Sequence, residues 1–293
     1  RLRSFCDGFK PGFALIGEVL FGDYNLIVND GMLHSCTNYE CYKGIFSSFN
    51  SMNLFEIAHS LNRQYGPEQW CIYRGKHLMN FVDNHDVTRI ASILTNKNHL
   101  PLAYGILFGM PGIPCLYYGS EWGEEGVKAP DNDYALRPCF EAPKPNDLTA
   151  FIEKLITLRR ESDALCNGGY HNVVITNHQL IFERKSDKER VLVAINASDA
   201  PFTAYNGELQ GEFVELTSGD KSDGTTSAES DTAKGTGKTA TESADTVKNS
   251  AAGTGETTTK STTPAAEKTN AKKCSMNGQL ELPPYSVAYW KAV

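Results

Sequence analysis

Leu78-Met-Asn-Phe-Val-Asp-Asn-His-Asp86 joins a strand-like run to a cluster of polar side chains. Its first five residues, four of them apolar, read as a short strand. Asp83, Asn84, His85 and Asp86 follow at once. Three ionisable groups directly past a buried strand are costly unless a partner or a ligand meets them. Similar short runs lie on both sides. Phe13-Ala-Leu-Ile-Gly-Glu-Val-Leu20 follows Pro11-Gly12, and Ile113-Pro-Cys-Leu-Tyr-Tyr118 lies between Gly112 and Gly119. Between them the spacing turns helical. Asn53–Gln64 has apolar residues at 54, 55, 57, 58 and 61, with Asn53 as the expected cap and Gly66-Pro67 as the stop. Leu100–Gly109 and Leu148–Arg160 are also predicted helices, the latter with Asp147 as cap. Alternating strands and helices predict an α/β fold, a parallel sheet or barrel.

After Leu165 the pattern changes. Residues 171–176, 179–185, 190–197, 212–216, 279–282 and 286–291 are strand-like and separated by polar turns, which predicts a small antiparallel β-sandwich. The expected division is therefore 1–165 and 166–293. Residues 218–273 interrupt the second part with Ser, Thr, Ala, Gly, Lys, Asp and Glu, contain no aromatic residue and carry no net charge. So little apolar side chain does not offset ordering entropy, and the segment is expected to be a disordered loop insertion. A tether or glycosylated stalk is the functional alternative.

The 293 residues carry 28 Lys and Arg against 35 Asp and Glu, a net charge of −7, which argues against a nucleic-acid-binding face. No run approaches the ~18 apolar residues of a membrane span. No Gly-x-Gly-x-x-Gly opens a helix, and no phosphate-binding loop motif occurs. The eight cysteines are scattered, with no Cys-x-x-Cys and no zinc spacing. As free thiols they favour a reducing, cytoplasmic compartment. The chain opens at Arg1, without Met, inside what reads as a helix end. The expectation is a truncated N-terminus, so secretion stays open.

Glu18 closes the run FALIGE and Asp86 follows LMNFV. In an α/β barrel the C-terminal strand ends form the active face. A carboxylate there is expected to be desolvated by apolar neighbours yet open to a ligand. Two such carboxylates flanking a glycosidic bond are the apparatus of glycoside hydrolysis. The plainer alternatives are a salt-bridged or solvated Glu18 and a structural His85.

LIGEV (15–19), FVDNHD (81–86) and GIPCLYYGSE (112–121) occur in this order and together resemble the alpha-amylase superfamily of glycoside hydrolases. TNYECYKG (37–44) looks like that family's sixth-strand region. The resemblance spans about residues 1–217 and 276–293. It implies the C-terminal half of a (β/α)8 barrel, strands five to eight, followed by a β-sandwich. It implies retaining cleavage or transfer of α-glucosidic bonds, with α-1,4-linked glucans or maltooligosaccharides as substrates. Glu18 matches the general acid/base, Asp86 the aspartate that stabilises the transition state, and His85 the histidine that binds the sugar. Tyr117, Tyr118 and Glu121 match a motif that is largely structural support. Trp122 is either a sugar platform or a packed aromatic. Calcium is a common ligand of the family, but no cofactor is assignable here. Asp131-Asn-Asp133 has cation-binding chemistry, although its ordinary reading is a solvated loop.

The departure from the family pattern lies upstream. The family nucleophile is an Asp in a Gly-x-Arg-x-Asp motif, and no such motif precedes Glu18. Asp7, in a predicted helix, is rejected for that role. The expectation is a fragment that lacks the nucleophile, inactive alone and prone to associate through open strand edges. The alternatives are an α-1,6-glucosidase or transglycosylase of the same superfamily, or a non-catalytic amylase-like binding or partner protein.

Overall fold

A computed structural model describes residues 1–218 and 272–293. The low-complexity stretch lies outside these residues except at its ends, where Lys273 already belongs to a strand.

The first part of the chain has four very short parallel strands: β1 (Ile16–Gly17), β2 (Ser35–Cys36), β3 (Met79–Asn80) and β4 (Ile113–Pro114). β1 pairs with β2 and β3 with β4, and a parallel bridge between Thr37 and Met79 joins the two pairs. The strands therefore lie side by side in chain order. Their helices are α1 (Leu2–Phe9), α2 (Tyr39–Asn50), α3 (Phe55–Tyr65), α4 (Ile90–Ile93), α5 (Leu100–Gly109), α6 (Asp147–Glu161) and α7 (Asp163–Asn167).

Particular residues explain these boundaries. The Asn38 side chain accepts from the Cys41 backbone N–H and starts α2, so the stretch 37–44 is mostly helix and the strand of this region is Ser35–Cys36. α3 starts one residue after Leu54, and Asn53 makes no side-chain cap. At α6 the cap is Asn146, not Asp147. Asn146 and Thr149 bond reciprocally, side chain to backbone, in a capping box. α5 spans the predicted residues, and every residue from Leu102 to Gly109 is buried.

The second part is one six-stranded antiparallel sheet in the order β5-β6-β7-β10-β8-β9. Its strands are β5 (Gly169–Ile175), β6 (Gln179–Lys185), β7 (Arg190–Asn196), β8 (Phe202–Glu215), β9 (Lys273–Leu282) and β10 (Ser286–Ala292). The two leaves of the expected sandwich are two halves of this sheet, joined through β10, which pairs with β7 along its length and with β8 at its end. Alternating residues serve two cores. Leu180, Phe182, Val191, Val193, Ile195 and Tyr289 pack with the helices of the first part. Ile181, Leu192, Ala194, Phe213, Met276 and Trp290 fill the inside of the folded sheet. Burial on both faces explains the unbroken apolar run Val191–Ile195.

α5 is the seam between the parts. A Cβ at Gly105 would stand 2.4 Å from Val287 Cγ2 on β10, and one at Gly109 would crowd Phe182, Val193 and Tyr289. The Tyr289 hydroxyl donates to the Gly105 carbonyl at 2.6 Å. Just before α5, His99 is buried against Phe49 and Tyr285. Its Nε2 lies 3.0 Å from the Ala197 carbonyl, so Nε2 carries the proton, while Nδ1 has no partner among the described residues.

Ala usually stabilises a helix interior relative to Gly by ~1 kcal/mol. Gly105→Ala should do the reverse here and cost about 1–3 kcal/mol in urea unfolding, because Val287 is stiff and close. Val287→Ala should recover part of that loss. Burial holds the His99 imidazole below its ordinary pKa of 6.5. Its contribution to stability is thus complete above about pH 6.5 and lost as pH falls through the lowered folded value. Unfolding free energies between pH 8 and 5 should fall toward acid, and His99→Phe should flatten that slope.

Candidate active site

The C-terminal ends of the four parallel strands carry the polar residues singled out above. Glu18 follows β1, Asp83 to Asp86 follow β3, and Tyr117 follows β4. A cleft of about 260 Å3 is lined by Glu18, Asp83, Asn84, His85 and Tyr117 above an apolar floor that includes Phe81 and Leu116. Glu18 and His85 therefore share one cleft. Asp86 stands beside it, with Oδ2 at 3.3 Å from His85 Nε2 and Oδ1 at 3.0 Å from an Arg137 guanidinium nitrogen.

Glu18 departs from the expected desolvation: it is exposed. Among the described residues β1 pairs on one side only, with β2, and no strand of these covers its other flank. The Tyr39 hydroxyl, at the start of α2, donates to Glu18 Oε1 at 3.0 Å. Asn84 Nδ2 in turn donates to the Tyr39 oxygen at 3.1 Å. Burial raises the pKa of this phenol, and both Glu18 and Asp86 push it further up. Tyr39 thus lies within electrostatic reach of both carboxylates and stays a donor at neutral pH.

Beneath the cleft, Asp83 is a structural carboxylate. It is 2% exposed and accepts from the Ser120 hydroxyl at 2.7 Å and from the Ile90 backbone N–H at 2.8 Å. Burial raises its pKa, while these two hydrogen bonds and the nearby Arg89 pull it down. Arg89, fully buried, donates to the Tyr118 and Leu136 carbonyls and to Ser120 Oγ. Its guanidinium lies 4.3 Å from the Tyr117 ring centre. Gly119, at φ +86°, allows the turn that aims Ser120 at both groups. Tyr117 and Tyr118 are therefore fixed from below.

Several other residues fall outside the cleft. Trp122 packs edge-on against Phe140 at 5.1 Å and donates to Glu124. Asp7 is ion-paired to Arg3 on α1. The loop Asp131–Asp133 does not fit a cation, because Asp133 already faces Lys128 and Arg137, each at 3.2 Å. No cluster of three or more His, Cys, Asp or Glu suits a metal among the described residues. The cysteines are free thiols, and no described helix is long and apolar enough to cross a membrane. Sequence reasoning missed Tyr39 and Arg137 as site residues. Asn38-Tyr39 directly after a strand was the available signal for the first. Nothing local marks Arg137, which lies 51 positions from Asp86.

Fold and site together define a partial α/β catalytic region followed by an antiparallel β domain. The sequence profile of the alpha amylase catalytic domain matches residues 46–147, and that of the alpha amylase C-terminal all-beta domain matches residues 173–256. The chain belongs to the alpha-amylase family, with part of the catalytic domain and the C-terminal all-beta domain. It is 36% identical over 118 residues to a cyclomaltodextrin glucanotransferase of Bacillus sp. (strain 1011), covering 40% of this chain and 16% of that protein. It is 25% identical over 228 residues to a cyclomaltodextrinase of Thermoanaerobacter pseudethanolicus, covering 72% of this chain and 37% of that one. The fold matches the Geobacillus thermoleovorans alpha-amylase, solved with acarbose, at a TM-score of 0.67 and 16% identity, over 97% of this chain and 54% of that one. The chain thus spans about half the length of that solved amylase.

Ser120→Ala would leave the buried Asp83 carboxylate short of a donor. The expected cost is about 1–3 kcal/mol of stability at neutral pH. It should shrink in acid as Asp83 takes up a proton, which urea unfolding at pH 7 and pH 4.5 would show.

Proposed function

We propose that this chain supplies the acid/base and transition-state-stabilising half of a retaining α-glucan hydrolase active site. The observation that carries the reading is the shared cleft of Glu18 and His85 at the strand ends, with Asp86 Oδ2 3.3 Å from His85 Nε2. Glu18 is the acid/base. Tyr39 occupies Oε1, leaving Oε2 to protonate the departing glycosidic oxygen and later to take a proton from water. His85 and Asp86 hold sugar hydroxyls on the opposite flank. α-1,4-linked glucans or maltooligosaccharides are the proposed substrates. The proposed division places the catalytic part at 1–165 and the β domain at 166–293.

The first step of retention also needs a carboxylate to attack the anomeric carbon. The chain has no Gly-x-Arg-x-Asp motif, and Asp7 is committed to Arg3 on a helix. The attacking group is proposed to lie outside this chain, on strands that would also complete the sheet. Two features support this. Among the described residues β1 and β4 each pair on one side only, and Ile16 and Ile113 on them are 49% and 42% exposed. Such edges favour pairing with further strands. Transfer in place of hydrolysis is a second reading, favoured by the names of the glucanotransferase relatives.

The chain by itself should show no release of reducing sugar from maltooligosaccharides, and should bind acarbose weakly. His85→Ala and Glu18→Gln should each weaken that binding by about tenfold, the loss of one hydrogen bond to a charged or polar partner. Calorimetry and a reducing-sugar assay check both statements. Turnover by the chain alone would show that the attacking group lies within it, and failure to bind acarbose would remove the site.

A further inference from the structure

At the opposite end of the strands lies a second cleft, of about 280 Å3. Arg74, Lys76 and His77 reach it from the loop before β3, Gly112 from the turn before β4, and Arg184 from β6. Arg184 is 1% exposed. It donates to the carbonyls of Gly169, Gly109 and Gly168 at 3.3, 2.7 and 2.8 Å. Next to it, buried Arg159 on α6 donates to the carbonyls of Phe108, Met110 and Gly112. Arg74 donates to the Gly66 and Glu68 carbonyls, and Lys76 to that of Val28. Among the described residues none of these cations lies within 4 Å of a carboxylate.

This arrangement is unusual for buried charge. Carbonyl oxygens satisfy the directional hydrogen bonds of a guanidinium but leave its unit charge uncompensated. The C-terminus of α5, which both arginines hold, contributes only about half a negative charge. Three of the five N–H groups of Arg184 are accounted for by those carbonyls, which leaves two. Burial and the charge of Arg159 push the pKa of Arg184 down to about 9, so the site favours a negative guest. Cations converge on the cleft from the loop on one side and from the sheet on the other. That suits a multiply charged tetrahedral anion with several acceptor oxygens better than a single carboxylate.

We propose that this cleft is a binding site for an oxyanion of the phosphate class, either free or as the phosphoryl group of a sugar phosphate. The site is separate from the Glu18 cleft and does not depend on the function proposed for it.

The test is calorimetric titration of the whole chain with inorganic phosphate and, in parallel, with glucose 6-phosphate, against sodium chloride at matched ionic strength. Saturable binding of one or both is expected, with a rise in melting temperature that chloride does not reproduce. Tighter binding of the sugar phosphate would identify that source, and equal or weaker binding would identify the free anion. Arg74→Gln and Lys76→Gln, both at the mouth, should each weaken binding about tenfold, one charge-assisted hydrogen bond's worth. Glu18→Gln should leave it unchanged. Arg184→Met tests the centre of the site if circular dichroism shows it folded, and the two mouth variants keep the test decisive if it is not. Absence of saturable binding to the folded wild-type chain, or binding that survives both mouth variants, would overturn the proposal.

Discussion

The described parts of this molecule meet on α5. A helix buried along nearly its whole length needs neighbours on every side, and it has them. α2 and α6 pack on it from the strand-and-helix part, and β7 and β10 from the sheet. Close approach is possible because Gly105 and Gly109 present no side chain where Val287 and Tyr289 arrive. The helix end cannot be solvated at that depth, so Arg159 and Arg184 satisfy its last carbonyls. The two parts are therefore joined by a packed apolar core with a cationic lock at one end.

That seam fixes the candidate active site indirectly. α5 leads into β4, and β4 leads into the turn at Gly119 and Ser120. Tyr104 on α5 donates to the Ser120 carbonyl at 2.8 Å, which ties the helix to this turn. Ser120 and Arg89 then hold Asp83 and Tyr117. Buried, satisfied polar networks of this kind specify one loop geometry, because each alternative strands a charge or a donor. The cleft consequently has a rigid side, built from the loops after β3 and β4. Its other side is Glu18, just past the edge strand β1, held by Tyr39 alone among the described side chains. Rigidity on one flank and openness on the other follow from the hydrogen bonds, since Asp83, Ser120 and Arg89 interlock on the first and a single side-chain bond holds Glu18 on the second.

Legibility in the sequence varied with how local the cause was. Leu100–Gly109 could be delimited because a wholly apolar run between a polar stretch and Gly-Met-Pro has few other solutions. The strands of the first part could be located but not measured. Mostly apolar runs of five to eight residues contain ladders only two residues long, because apolar character records burial rather than pairing. TNYECYKG resembles a sixth-strand region and is mainly helix, since the Asn38 cap acts at its second residue. Glu18 was expected to be desolvated, yet it is exposed, because desolvation depends on which flank of β1 is paired. The acidic loop at 131–133 reads as solvated, with cation binding as the alternative, and the neutralising partners of Asp133, Lys128 and Arg137, emerge only when the loop folds back.

The sequence alone determined the alternation of strands and helices, the change to a β-rich second part and the place of the carboxylates just past the strands. Those properties are written in apolar periodicity and in short motifs within one strand and its following loop. Tertiary structure decided which of these groups meet. Asp86 finds Arg137 across 51 positions, Tyr39 bridges Asn84 and Glu18, and two arginines without carboxylates gather at the far end of the strands. Contacts between residues far apart in the chain depend on how elements pack. No local pattern encodes them, because packing is set by the summed shape and charge of every neighbour at once.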